Sequence, residues 1–438
     1  MKKSDKNSKK ISDFTESPKK ITSLVPIKVK ERVKKALIAR EDKLAYNDVV
    51  FTEPLTPAPE EPPRPLQKGT VDMWFLLWAM ILVCFGAVMS YSASAVYAEQ
   101  KFDSSTYFLV RYILFAVVAV IMTVPFVALA RPWFWRVFGV ASYGVSIILL
   151  VAVLIFGASE GEAQRWLDFG LFTIQPSEIA KVAVVMVLAL DMSKYEKEIT
   201  SKHVFGGSFK KGVLVPMLII GIICGLVALE RHISGLMIIG VLGVGVMFMG
   251  GTRIKWLAMF LGIIAVAGVG LILVSSYAQE RVDIWLHIEE ADPLGSAWQT
   301  LQGLYAIGSG GFFGLGLGSS RQKFGYVSQP QNDFIFTIIC EELGFIGAFI
   351  VIGLFALLIW RGIKIGQRAP DRFCALVVWG LTLKIALQVA MNIAVVTNTM
   401  PNTGISLPFF SSGGTANMIQ IFEIGIILSI SRYSTVKK

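Results

Sequence analysis

The stretch Gln329-Pro330-Gln331-Asn332-Asp333-Phe334-Ile335-Phe336, running into Cys340-Glu341-Glu342-Leu343-Gly344, closes a long Gly-rich loop and opens an apolar helix. An Asp at the first turn of a helix is ordinary capping chemistry, worth roughly 0.5–2 kcal/mol. This helix, however, has the length and apolarity of a membrane span. Asp333 therefore sits where water, headgroup and protein meet. An ionisable side chain at that boundary, beneath a large loop, is a functional candidate.

The rest of the chain agrees with a membrane setting. Of its 438 residues 54% are hydrophobic and 16% charged, less charge than a soluble chain of this length carries. Apolar runs of about 20 residues recur along it. The N-terminus is basic and polar without an early apolar core, so no cleavable signal peptide is expected. The net charge of +10 is what a positive-inside bias produces. The basic residues are scattered among loops that flank apolar runs, so nucleic acid is not an expected partner. Cys84, Cys224, Cys340 and Cys374 each lie in or beside an apolar segment, without a CxxC pair or a His/Cys cluster. They read as packing residues, with neither disulfide nor metal site. His203, His232 and His287 share no ligand spacing.

Residues 1–70 form a basic, Pro-rich tail, with Pro54 to Pro65 its most Pro-dense part. Such composition cannot bury enough apolar surface to order itself. Ile27 to Leu44 mixes Leu, Val and Ile with Lys and Arg, as a basic amphipathic helix on an anionic leaflet would; a solvated tail is the plainer reading. Residues 71–432 form the membrane domain, and 433–438 are a second tail. The expected spans are Asp72–Tyr97, Tyr107–Ala130, Trp133–Gly157, Pro176 to Asp191, Gly212–Leu229, Ser234–Gly250, Ile254–Tyr277, Asp333–Trp360, Phe373–Thr399 and Thr415–Ser431. Alternating sides places Arg131, Arg136, Lys194 to Lys211, Arg253, Lys255 and Arg361 to Arg372 on one face, with Arg432. The positive-inside bias makes that face cytoplasmic. The fold class is therefore an all-α polytopic membrane protein of about ten transmembrane helices. Both termini are cytoplasmic, and one long extracytoplasmic loop, 279–332, joins spans seven and eight. The other outward segments are Ser159–Gln175, the turn Glu230–Ile233 and Met400–Gly414.

Several polar residues need a reason to be where they are. Glu178 and Lys181, three apart at the outer end of the fourth span, lie on one helical face and can pair. Arg165 beside Trp166 offers an outward guanidinium that can clamp a phosphate. Lys384, Gln388 and Asn392 form one stripe of the ninth span. A lysine near mid-bilayer costs about 2.5–3.5 kcal/mol even on lenient scales, so it must face the bundle interior or a cavity. Glu423 is its candidate partner. The run Gly308 to Gly318 is no nucleotide loop, because no βαβ unit surrounds it, and no organic cofactor is called for. Its glycines are expected to permit tight turns against the membrane surface. Arg321 and Lys323 follow at once and suit an anionic headgroup.

Together these motifs resemble the SEDS family (shape, elongation, division and sporulation proteins), typified by FtsW, RodA and SpoVE. The resemblance runs through Gly161–Trp166, Gln175-Pro176-Ser177-Glu178 with Lys181, Asp292-Pro293-Leu294-Gly295, Ala306 to Gly311 and Gly316-Leu317-Gly318. It continues through Asn332-Asp333-Phe334-Ile335-Phe336, Glu341 to Gly344, Met400 to Gly404, Leu407-Pro408, and Ser411 with Gly413-Gly414. The chain is most similar to the FtsW/SpoVE branch. There are departures. The family's Leu-Pro-Glu-x-His-Thr is here Val327 to Asn332, its Gln-Pro-Asp-Leu-Gly is Glu230 to Ser234, and its Ser-Tyr-Gly-Gly is Ser411 to Gly414.

The resemblance implies a peptidoglycan glycosyltransferase of the bacterial cytoplasmic membrane, polymerising lipid II on the outer face beside a class B penicillin-binding protein transpeptidase. It places the catalytic carboxylate on Asp333. The substrate-binding candidates are Arg165, Glu178, Lys181, Arg321, Lys323, Lys384, Gln388, Asn392 and Ser411. Converting an α-linked sugar diphosphate to a β-linked polymer in one displacement needs one general base on the acceptor hydroxyl, as in inverting glycosidases. The leaving diphosphate needs cations, drawn from Arg165, Lys181, Arg321 and Lys323, with Mg2+ or Mn2+ as a further counter-charge. The alternatives are a lipid II flippase whose path is lined by Lys384, Gln388, Asn392 and Glu423, or a non-catalytic scaffold for the transpeptidase.

Overall fold

The computed structural model describes residues 69–433, apart from 161–162, 171, 201–206, 291, 293 and 296. The tails, the Ile27–Leu44 segment and His203 lie outside the described residues. So do Gly161, Glu162 and Pro293 of the motifs above.

Helices cover the apolar runs. In order they are α1 (Met73–Phe102), α2 (Tyr107–Leu129), α3 (Pro132–Phe156), α4 (Pro176–Lys194), α5 (Val215–Leu229), α6 (Ile233–Met249) and α7 (Ile254–Val274). After α8 (Ser276–Leu286) and α9 (Trp298–Ser309) come α10 (Ile335–Gln367), α11 (Arg372–Val396) and α12 (Gly414–Ser431). Among the described residues seven helices are long and apolar enough to cross a membrane: α1, α2, α3, α5 with its Lys210–Leu214 π-turn, α10, α11 and α12. Helices α6 and α7 are apolar but shorter in that sense, while α4 carries Glu178, Lys181, Asp191 and Lys194. Helix α4 packs on α3 and α11, α2 on α12, and α10 on α1 and α11. The apolar windows of α11 and α12 are 72% buried against 22% for α2 and α3. The centre of the bundle is therefore built on α4, α11 and α12, and the outer helices turn Ile121, Met122, Ile148 and Ile155 outward.

The structure departs from the sequence reading in four places. The segment expected as a loop between α3 and α4 carries a small antiparallel sheet, β1 (Ala158–Glu160), β2 (Ala163–Asp168) and β3 (Thr173–Ile174) in that order, so the chain is not purely α. The seventh span does not run to Tyr277. The chain breaks at Ser275, whose hydroxyl accepts from the Ala278 amide at 3.3 Å and starts α8. The loop 279–332 is therefore partly helical, holding the end of α8 and all of α9. Finally, α10 begins at Ile335 with Phe334 as its N-cap residue, so Asp333 lies outside the helix and does not cap it.

The same helix, further along, explains the glycine run. Gly344 interrupts α10 with φ 67° and ψ −165°. Regular helix would send the Phe345 and Ile346 amides to the Glu341 and Glu342 carbonyls. Instead those amides reach Gly311 O at 3.0 Å and Phe312 O at 3.3 Å, and the freed carbonyls accept from Leu315 and Gly316, both at 2.9 Å. The loop and the broken helix exchange partners, so no backbone group is orphaned. That exchange needs backbones in contact. A Cβ on Gly310 would stand 1.9 Å from Cys340 O, and one on Gly314 2.2 Å from Glu342 O. Gly311, Gly314, Gly316 and Gly318 turn the chain with positive φ, and Gly310 and Gly314 also give the close contact with α10. The Glu341 and Glu342 carboxylates complete the join. Glu341 accepts from the Arg321 amide at 2.9 Å. Glu342 takes Lys323 Nζ at 3.0 Å and Ser92 Oγ at 2.6 Å.

Candidate active site

Asp333 is held by its backbone. Asn392, fully buried on α11, donates its amide to Asp333 O at 2.8 Å and to Ile405 O at 2.7 Å. One side chain thus joins the start of α10 to the 400–414 turn. Gly404 in that turn has φ 67°, and a Cβ there would stand 3.1 Å from Asp333 Oδ2. Glycine is required both for the left-handed backbone and for room beside the carboxylate. Ser412 continues the join, donating from Oγ to Asn332 Oδ1 at 2.8 Å and from N to Gln331 O at 3.0 Å. The residues that replace the family's Thr and Tyr thus bond to each other. Asp333 is half-buried.

Behind it lies a charge network inside the bundle. Lys181 Nζ stands 2.5 Å from Glu178 Oε1. Lys384 pairs with Glu423 and stands 3.5 Å from Glu178 Oε2. Two cations and two anions from α4, α11 and α12 therefore balance, all nearly excluded from solvent. Buried charges are tolerated only when paired in this way. Gln388 is buried one turn along α11, and its Oε1 has no hydrogen-bond partner among the described residues. Ser411 is buried, and its carbonyl accepts from Asn417 at 2.6 Å.

Outside the network the polar groups are less well matched. Arg165, on β2, donates from Nη2 to Arg231 O at 3.3 Å. Its Nε has no hydrogen-bond partner among the described residues, nor have the carboxylate oxygens of Glu230 or Nδ1 of His232. Burial pushes the Glu230 carboxyl up to about 8, with the Arg165 charge pulling it back. Burial likewise pushes the His232 imidazole down to about 3, helped by the Arg165 and Lys181 charges and opposed by Glu178. Arg321 is exposed, whereas Lys323 is buried and bound to Glu342 and to Gly318 O at 2.6 Å. The expected site residues thus divide. Arg165 lines a cavity and Asp333 is partly exposed, while Lys181, Lys323 and Lys384 are engaged by acids.

Residues 72–436 match the family model of the FtsW/RodA/SpoVE cell cycle proteins. The chain belongs to this family. It is 40% identical to stage V sporulation protein E of Bacillus subtilis over 372 residues, 84% of this chain and 99% of that one. It is 35% identical to the probable peptidoglycan glycosyltransferase FtsW of Trichlorobacter lovleyi over 371 residues, 84% and 95% of the two chains. The fold also recurs in the crystal structure of the rod shape determining protein RodA of Thermus thermophilus, at TM-score 0.61 and 23% identity over 84% of this chain and 98% of that one. A chain of a peptidoglycan synthase complex that coordinates polymerization and crosslinking gives TM-score 0.67 at 23% identity, covering 83% and 98%. With its kinship and apolar helices, the protein is a multi-pass membrane protein.

Arg281 falls in the loop 279–332 and Thr403 in the 400–414 turn, and sequence reading gives no reason to single out either, because a cavity shared by distant segments leaves no local pattern.

Proposed function

We infer that the protein is a peptidoglycan glycosyltransferase that polymerises lipid II into β-1,4 glycan strands with inversion. Its similarity to relatives of that activity along nearly their whole length supports the reaction class. The observation that supports the chemistry is the Asn392 side chain holding the Asp333 carbonyl beside Gly404, which ties the residue that bears the carboxylate to the 400–414 turn. Asp333 is the general base that takes the acceptor hydroxyl proton. A positioned base is typically worth about 10²–10⁴-fold. The leaving diphosphate departs without a strong acid, its charge met by guanidinium groups. No three His, Cys, Asp or Glu side chains converge among the described residues. A Mg2+ or Mn2+ would therefore ride on the diphosphate, with no protein cage of its own.

In this reading ten helices span the membrane, α8 and α9 lie outside, both termini are cytoplasmic, and the site faces outward. Residues 1–70 and 433–438 are cytoplasmic tails on the 71–432 domain. The partner is a class B penicillin-binding protein; the likeness to a chain of a polymerising and crosslinking complex supports it. The flippase reading needs a path along Lys384, Gln388 and Asn392, but ion pairs and the Asp333 clamp occupy that stripe.

The test is strand formation from purified lipid II by the full chain, with the transpeptidase and with moenomycin to silence classical polymerases. Asp333→Asn should fold like wild type and lose about 10²–10⁴-fold in rate. Near-normal strand formation by that variant would sink the assignment.

A further inference from the structure

A cavity opens beside the 400–404 turn, whose Met400 to Thr403 form part of its wall. Its volume is about 150 Å³, and its polar lining comes from Arg165, Arg281, Ser234, Asn402 and Thr403. These residues come from β2, α8, α6 and the turn, which are far apart in sequence. Helix α8 is pinned in place by Trp285, whose indole donates to Asn398 O at 3.1 Å. The Ser234 hydroxyl fastens α6 to the turn through Thr403 O.

The lining has a definite sign. It offers two guanidinium groups, two hydroxyls and an amide, and no carboxylate among the described residues. Two of these groups are buried without a hydrogen-bond partner among the described residues, Nε of Arg165 and Oγ1 of Thr403. A buried donor without an acceptor is costly, so both groups point to an acceptor-rich ligand. Met237 and Val282 form an apolar wall of the same cavity. Drug-sized ligands need about 300–1,000 Å³, so a disaccharide-peptide does not fit, whereas an oxyanion group does. Burial pushes the carboxyl of Glu230, near Arg165, up to about 8, so it competes weakly for that guanidinium.

We propose that this cavity is a subsite for the diphosphate of a polyprenyl-diphosphate-linked sugar, and after transfer for the polyprenyl diphosphate released, with Arg281 and Thr403 as ligand-binding residues. This rests on the glycosyltransferase reading. In the transfer the acceptor oxygen forms the new bond to the anomeric carbon and that carbon's bond to the diphosphate oxygen breaks. The electron pair leaves with the diphosphate, and the acceptor proton goes to Asp333.

The experiment uses the full chain in detergent with undecaprenyl diphosphate as probe and inorganic diphosphate as competitor, beside strand formation from lipid II. Arg281→Gln should weaken probe binding about 10- to 100-fold, the range for a lost charge-assisted contact, and lower kcat. Thr403→Val should weaken binding less, and Arg281→Lys should keep part of it. Melting curves confirm that each variant is folded. Inorganic diphosphate should displace the probe from wild type. Probe binding that neither Arg281→Gln nor inorganic diphosphate alters would mark adhesion of the lipid tail and overturn the proposal. Normal kcat and KM in Arg281→Gln would overturn the subsite and leave the polymerase reading standing. Arg281-dependent binding in a wild type that makes no strands would uphold the subsite and overturn the polymerase reading.

Discussion

Two polar regions lie within a few helical turns of each other and are built on opposite terms. Inside the bundle, Glu178, Lys181, Lys384 and Glu423 pair cation with anion. Around the 230–232 turn, Arg165, Glu230, His232 and Thr403 carry buried atoms with no hydrogen-bond partner among the described residues, as do Glu178 and Glu423, which differ in being ion-paired. A balanced network fixes which helices lie together; an unbalanced one stores affinity for something else. The difference separates architecture from chemistry among residues that look alike in a sequence. By the same criterion Lys323, closed on Glu342, goes with the architecture.

The comparison breaks most sharply at Lys384. Replacing it with Met leaves Glu423 and Glu178 short of a cation, and breaking a buried pair from one side costs about 3–5 kcal/mol. The melting midpoint in detergent should fall well below wild type, and adding Glu423→Gln should recover part of the loss. A Lys384→Met protein that melts normally would show that the network is not what holds α11 to α12.

A smaller effect sharpens the outer half of the contrast. The unfolded chain gives up the Glu230 proton near 4.5, the folded chain only near 8. Between those values the folded state binds more protons, so stability falls as pH rises through the window and is flat below it. His232 works the other way. Unfolded it takes a proton near 6.5, folded only near 3, so stability falls as pH drops through that window. Glu230→Gln should flatten the alkaline limb of a melting-against-pH curve and gain on the order of 1 kcal/mol at pH 8. His232→Gln should flatten the acid limb. Unchanged limbs in both variants would mean that these groups are solvated in the folded protein.

The smallest effect is a control. Arg136 meets Asp371 at 2.7 Å, with both side chains substantially exposed. Arg136→Ala should cost only about 0.2–1 kcal/mol in the same melt. A larger loss would mean that position, not pairing and burial, ranks these charges.

Helix positions were legible in the sequence because an apolar run of spanning length is a local property, read without knowing its neighbours. Asp333 stood out for the same reason, as a carboxylate at the edge of such a run. The pairing of Glu178 with Lys181 followed from spacing along one helix. Three things were decided only in three dimensions. The break of α10 at Gly344 depends on a glycine loop some thirty residues earlier that supplies the replacement hydrogen bonds. Which of Lys181, Lys323 and Lys384 is engaged, and by which acid, depends on the carboxylates that the fold brings beside them. The convergence of Arg165, Arg281 and Thr403 on one cavity joins segments more than 100 residues apart. Local chemistry sets where a helix forms; burial and charge pairing are properties of neighbours, and the chain acquires its neighbours only by folding.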